Sequence, residues 1–185
     1  MPKIAIGEAE LFYEETGEGP PVLLVPGLGG LGAFWAPTMA ALAKDFRVIT
    51  HDHRGCGGSS RSRITYSVEQ MADDVRRLMD ALKIDTAHVV GHSTGGAIGQ
   101  VIAQDSPGRI QRLVLSATWA GPDNFFRRSF ETRKAILQAQ GIKAYTRASA
   151  LLLRPPAWVR DNEAALQAEE AKLLADPPDA EPPPS

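Results

Sequence analysis

Residues 21–26 read Pro-Val-Leu-Leu-Val-Pro, an apolar run closed by proline at each end. It is too short for a helix and has no polar alternate face. Such a run reads as a strand buried on both sides, the setting of a parallel sheet covered by helices. Phe46–Thr50, Ala87–Val90 and Arg112–Ser116 are further candidate strands. Between them lie segments with helical spacing: Phe34–Ala43, Val68–Leu82 and Thr94–Gln104. The second has a capping-box start in Ser67 and Gln70, with Tyr66 and Met71 placed as a hydrophobic staple. It puts Val68, Met71, Ala72, Val75, Leu78, Met79 and Leu82 on one stripe. The third ends at Ser106-Pro107. Ahead of the first buried strand, Ile4–Ile6 and Leu11–Glu14 alternate in polarity around Gly7, the pattern of a hairpin. Strand–helix alternation predicts an α/β fold, with a mainly parallel sheet flanked by helices.

After Trp119-Ala120-Gly121-Pro122 the pattern changes. Residues 124–140, 142–153 and 158–175 read as three helices without intervening strands. The expected organisation is a core over residues 1–121, a helical lid over 122–175 and a tail over 176–185. That tail is rich in proline and acid, and its composition predicts disorder.

The turns at the ends of the strands hold the candidate chemistry. Gly91-His92-Ser93-Thr94-Gly95 lies between a strand and a helix. A tight turn there lifts Ser93 onto the carboxyl edge of the sheet, the layout of a serine nucleophile elbow. Gly96 and Gly99 would let the following helix approach the sheet closely. The competing reading is a serine that merely caps a helix. Neighbouring residues on such a turn project apart, so His92 is expected to pack rather than to serve Ser93 as a base. His88 reads as a strand residue.

Pro26-Gly27-Leu28-Gly29-Gly30 follows the first buried strand, and its glycines permit backbone N–H groups to face a cleft. The N–H groups of Leu28 and Thr94 are candidate donors to an oxyanion. A phosphate loop is the competing reading, but no G-K-[ST] follows and the spacing does not fit G-x-G-x-x-G. In Asp52-His53-Arg54-Gly55-Cys56-Gly57-Gly58-Ser59, Asp52 and Arg54 are expected to hold the loop together. His51, His53, Asp52 and Cys56 are too tightly spaced to converge on one ion, so neither a metal nor a cofactor is expected. Gly27, Phe34, Trp35, His92, Trp119 and Trp158 are candidate pocket residues, although aromatic side chains at these spacings also serve as core.

The 185 residues carry a net charge of −2, which gives no basic surface for nucleic acid or an anionic membrane. There is no apolar leader and no apolar run of membrane-spanning length, so a cytoplasmic location is expected. The lone Cys56 cannot form an internal disulfide.

The motifs at 26–30, 52–59 and 91–96 together resemble the α/β-hydrolase superfamily, over residues 1 to about 175. Residues 66–72, 126–130, 151–158 and 169–171 are similar to one branch of it. That branch contains 3-oxoadipate enol-lactonase and the aminoacrylate (or carbamate) hydrolase of pyrimidine ring breakdown. The resemblance implies Ser93 as nucleophile, Leu28 and Thr94 as the oxyanion hole, and a small-molecule ester, lactone, amide or carbamate as substrate. It also implies an acid and then a histidine after the serine. His92 is the last histidine, and Asp123 stands where some members keep their acid. The expectation is therefore a C-terminally truncated chain, inactive alone, that self-associates or recruits a complementing C-terminal segment. The alternative is a non-catalytic remnant that binds a small apolar ligand or a protein partner.

Overall fold

The computed structural model describes residues 2–175, and the expected tail at 176–185 lies outside them. The described chain forms two compact units, divided between Ala120 and Gly121.

The first unit is a six-stranded sheet of β1 (Lys3–Ala5), β2 (Glu10–Thr16), β3 (Pro21–Val25), β4 (Arg47–His51), β5 (Ala87–His92) and β6 (Ile110–Ser116), in the order β1-β2-β4-β3-β5-β6. The opening hairpin β1–β2 joins β4 in antiparallel fashion. The β4–β3, β3–β5 and β5–β6 pairs are parallel. The mixed sheet thus has the mainly parallel core that the apolar runs predict.

The run at 22–25 is apolar at every position because both faces of β3 are covered. Val22 and Leu24 pack with Trp35, Met39 and Val48 on the side of α1 (Ala36–Leu42). Leu23 and Val25 pack with Ile49, Val89 and the buried stripe of α2 (Val68–Ala81) on the other face. Ile98 and Ile102 of α3 (Thr94–Asp105) complete that cluster. Burial of each such side chain stabilises the fold by about 1.5–3 kcal/mol. Helix α3 sits close to the sheet because Gly99 faces Leu113 and Gly96 faces Thr118, where an added Cβ would come within 2.7 Å and 2.6 Å of side-chain atoms.

Local signals set most helix ends. The Ser67 hydroxyl caps α2 by accepting from the Gln70 N–H at 3.1 Å. The Gln70 side chain does not reach back, and instead donates to Asp74 at 3.2 Å, so only half of the capping box forms. The helix expected from Phe34 starts at Ala36 and is preceded by a 3-10 turn over Gly32–Trp35. Pro37 explains the shift, since a residue without an N–H fits the first helical turn.

The second unit contains α4 (Asn124–Leu153), α5 (Pro156–Asp161) and α6 (Glu163–Ala175). Gly141, at φ 78°, breaks α4 into two arms at the boundary read from the sequence. The single helix expected over 158–175 is in fact two. Asn162 interrupts it, with its amide donating to the Trp158 carbonyl at 2.9 Å, the side-chain competition that disfavours asparagine inside helices. Among the described residues no helix is long and apolar enough to cross a membrane.

The loop after β4 is clamped to α2 by Arg54, whose guanidinium forks onto Asp74 at 2.9 Å and 2.5 Å. Both side chains are buried. Asp74→Ala leaves that cation buried without its partner and should cost about 3–5 kcal/mol. Asp73→Ala removes only exposed pairs with Arg76 and Arg77 and should cost less than about 1 kcal/mol. Urea unfolding of the two variants measures the difference.

Candidate active site

Strand β5 ends at His92 and α3 begins at Thr94, so one residue makes the whole turn. That residue is Ser93, at φ 53° and ψ −118°. A non-glycine residue in this region is strained by about 1–3 kcal/mol and persists only where its surroundings enforce it. The enforcing contacts are specific. The Ser93 N–H donates to the Ser116 carbonyl at 2.9 Å. The Ser93 carbonyl accepts from the Thr118 hydroxyl at 2.7 Å and from the Gly96 N–H at 2.9 Å. Gly91 and Gly95 have no room for a side chain. A Cβ on Gly95 would collide with the carbonyl oxygens of Val25 and Pro26, and one on Gly91 with the Gly95 carbonyl.

The capping reading fails on this geometry. A capping serine has extended backbone angles and accepts from the helix through its hydroxyl. Ser93 has left-handed φ and makes no side-chain cap bond. The residue is half-buried beside the loop after β3.

That loop lies directly against the turn. A Cβ on Gly27 would sit 3.3 Å from the Ser93 Cβ. Leu28, the next residue, is 55% exposed, and no acceptor among the described residues takes its N–H. Thr94 is the first residue of α3, so its N–H has no intrahelical acceptor. The two amides proposed from the sequence thus lie on the two segments that meet at Ser93.

The loop after β4 fixes the loop after β3. Asp52 accepts from the Gly32 N–H at 2.8 Å and the Gly58 N–H at 2.9 Å. The His53 Nε2 lies 3.0 Å from the Pro26 carbonyl, and the His53 N–H donates to the Gly30 carbonyl at 3.2 Å. Sequence spacing identifies Asp52 and Arg54 as loop-holding groups but misses His53. Its partners are more than twenty residues away, and no local pattern encodes them. Thr118, which holds the Ser93 carbonyl, is missed for the same reason.

None of the four histidines is bonded to the Ser93 hydroxyl. His51 and His53 are buried against each other, with ring centroids 5.0 Å apart. His88 stands edge-on to Phe46, and its Nδ1 is buried without a partner. His92 stacks on Phe34 at 4.9 Å and reaches 3.5 Å from the Ser116 hydroxyl. Asp123 caps α4 by accepting from the Phe126 N–H at 2.7 Å. Among the described residues, no cluster of His, Cys, Asp and Glu could hold a metal ion.

The candidate pocket residues divide. Gly27 and His92 adjoin Ser93, and Phe34, which is 54% exposed, stacks on the His92 ring. Trp35 is only 7% exposed and packs into the cluster beneath α1. The Trp119 carbonyl accepts from the Gln100 side chain at 2.9 Å. Trp158 belongs to the helical unit, where the Arg154 guanidinium lies 4.0 Å from its ring centroid.

The sequence profile of the family described as alpha/beta hydrolase fold matches residues 20–154. The chain is 45% identical over 175 residues to the RutD protein of Azorhizobium caulinodans, a relative named for carbamate hydrolysis. That match covers 95% of this chain and 66% of the relative. A protein of the same name from Caulobacter sp. strain K31 is 45% identical over 170 residues, covering 89% of this chain and 63% of the relative. The chain therefore spans slightly less than two thirds of the length of these relatives. The solved enol-lactonase from Burkholderia xenovorans LB400 superposes with a TM-score of 0.80 at 32% identity, over 92% of this chain and 66% of that one.

Two predictions test this geometry. Gly95→Ala drives a methyl group into the Val25 and Pro26 carbonyls and should cost about 3 kcal/mol or more in chemical unfolding. Gly108→Ala, which meets nothing within 4 Å, should cost less than about 1 kcal/mol. Burial pushes His51 well below, and His53 below, the ordinary histidine value of 6.5. Below that value the unfolded chain takes up protons that the folded chain refuses. Stability should therefore hold above about pH 6.5 and fall as the pH drops through the window beneath it. The unfolding midpoint measured from pH 7.5 to 5 should show this fall. His53→Gln, whose amide can still reach Pro26, should lessen the fall, and the share due to His51 should remain.

Proposed function

The chain belongs to the alpha/beta hydrolase fold family, and from that premise we propose that it is the nucleophile-bearing portion of a serine hydrolase acting on a small ester, lactone, amide or carbamate. Ser93 attacks the substrate carbonyl, and the N–H groups of Leu28 and Thr94 hold the developing oxyanion. Water then releases the acyl group. The relatives named for carbamate hydrolysis favour a carbamate. The observation that carries this reading is the strained, uncapped Ser93 with Gly27 against it.

A serine hydroxyl needs a general base to become a useful nucleophile. None of His51, His53, His88 and His92 bonds to the Ser93 hydroxyl, and we propose that a complementing segment supplies the base. Strand β6 is an outer strand of the described sheet, opposite β1, and exposes Val114 and Leu115. Its free edge is the natural place for such a segment, or for a second copy, to pair. The placement of all four histidines also favours a second reading, a protein that binds small molecules without turning them over.

A fluorophosphonate probe distinguishes the two readings. Mixed with a polypeptide equivalent to the C-terminal third of the Azorhizobium caulinodans relative, the chain should be labelled at Ser93 and should hydrolyse a small p-nitrophenyl ester. Alone it should be about 10⁴–10⁶-fold slower, the loss expected when a triad member is missing. Absence of labelling in the mixture, or equal turnover by Ser93→Ala, would overturn the hydrolase assignment.

A further inference from the structure

The helical unit contains a buried cation that no carboxylate of the described residues pairs. Arg133, on the first arm of α4, is only 8% exposed. Its guanidinium lies against the Phe130 ring at 5.1 Å and the Tyr145 ring at 5.0 Å. Nε donates to the Ser149 hydroxyl at 3.1 Å, and Nη2 donates to the Tyr145 hydroxyl at 2.6 Å. Every one of these partners is neutral.

The other arginine pairs of this unit make a clear contrast. Arg147 meets Glu170 at 3.4 Å, Arg154 meets Glu169 at 2.6 Å, and Arg160 meets Asp161 at 2.8 Å. Those arginines are more exposed to water, where pairing contributes little. Arg133 is buried, where an absent partner costs most, and no described carboxylate lies within 4.0 Å of it. Buried charges are ordinarily paired. Contacts with two rings offset only part of the penalty.

We propose that Arg133, Tyr145 and Ser149 form a binding site for a small carboxylate within the helical unit. A guanidinium has five N–H donors in a planar fork. The neutral partners use one on Nε and one on Nη2, so among the described residues both Nη1 hydrogens and the second Nη2 hydrogen remain. They lie in one plane, and two rings lie against the guanidinium. This edge matches the two oxygens of a planar carboxylate. Gly141 supports the assignment, because the break it makes folds the second arm back and brings Tyr145 and Ser149 to Arg133. The site rests on residues of the helical unit alone and does not depend on catalysis at Ser93.

The test uses acetate as probe and the full chain labelled with ¹⁵N. Acetate titrated against chloride at matched ionic strength should give a saturable shift of the Arg133 Nε–H resonance, with the same affinity in Ser93→Ala. Arg133→Lys keeps the charge but loses the fork, and should weaken acetate binding at least tenfold. Tyr145→Phe keeps the ring and should retain binding. An equal response to chloride would overturn the proposal, as would no saturable shift in the folded wild type. Either result would leave Arg133 as a staple between the two arms of α4.

Discussion

The contact between Gly95 and the carbonyl oxygens of Val25 and Pro26 is the constraint from which the rest of the core unit can be read. It brings the start of α3 against the end of β3, leaving one residue to turn the chain from strand to helix. Ser93 must then adopt an angle that its side chain disfavours. Hydrogen bonds to Ser116, Thr118 and Gly96 hold it there. A larger residue at 95 would push α3 outward and let Ser93 relax toward an ordinary helix cap.

A second layer keeps the neighbouring loop from relaxing in its turn. Asp52 and His53 grip the segment from Pro26 to Gly32 through its backbone, and Arg54 ties their own loop to α2 through Asp74. These are polar groups buried at the rim of an apolar sheet, where unsatisfied donors and acceptors are costly and satisfied ones are rigid. The loop that presents Leu28 is consequently braced from behind, although its outer face is open.

Much of this was legible in the sequence where the controlling forces are local. The doubly buried β3 announces itself as a continuous apolar run, and α2 by its stripe and its Ser67 cap. The Gly141 break was readable because the helical pattern lapses there. The turn at Ser93 was readable because small residues flank it between a strand and a helix. Local reading failed where one polar side chain overrode periodicity, as Asn162 does between α5 and α6. It also failed at Pro37, which moved a helix start. Nothing near Ser93 foretells Thr118, and nothing near Pro26 foretells His53, because the topology of the sheet creates those pairs. Nothing in the sequence sets Arg133 apart; its distance from the described carboxylates emerges only when the two arms of α4 are folded together.

The amide of Ser93 hangs on Ser116, the last residue of an outer strand of the described sheet. Outer strands fray at far less free energy than a whole domain needs to unravel. Each such opening would free the Ser93 amide while the interior beneath it stays intact. Hydrogen exchange at that amide would therefore report the breathing of the margin, which a melting temperature does not resolve.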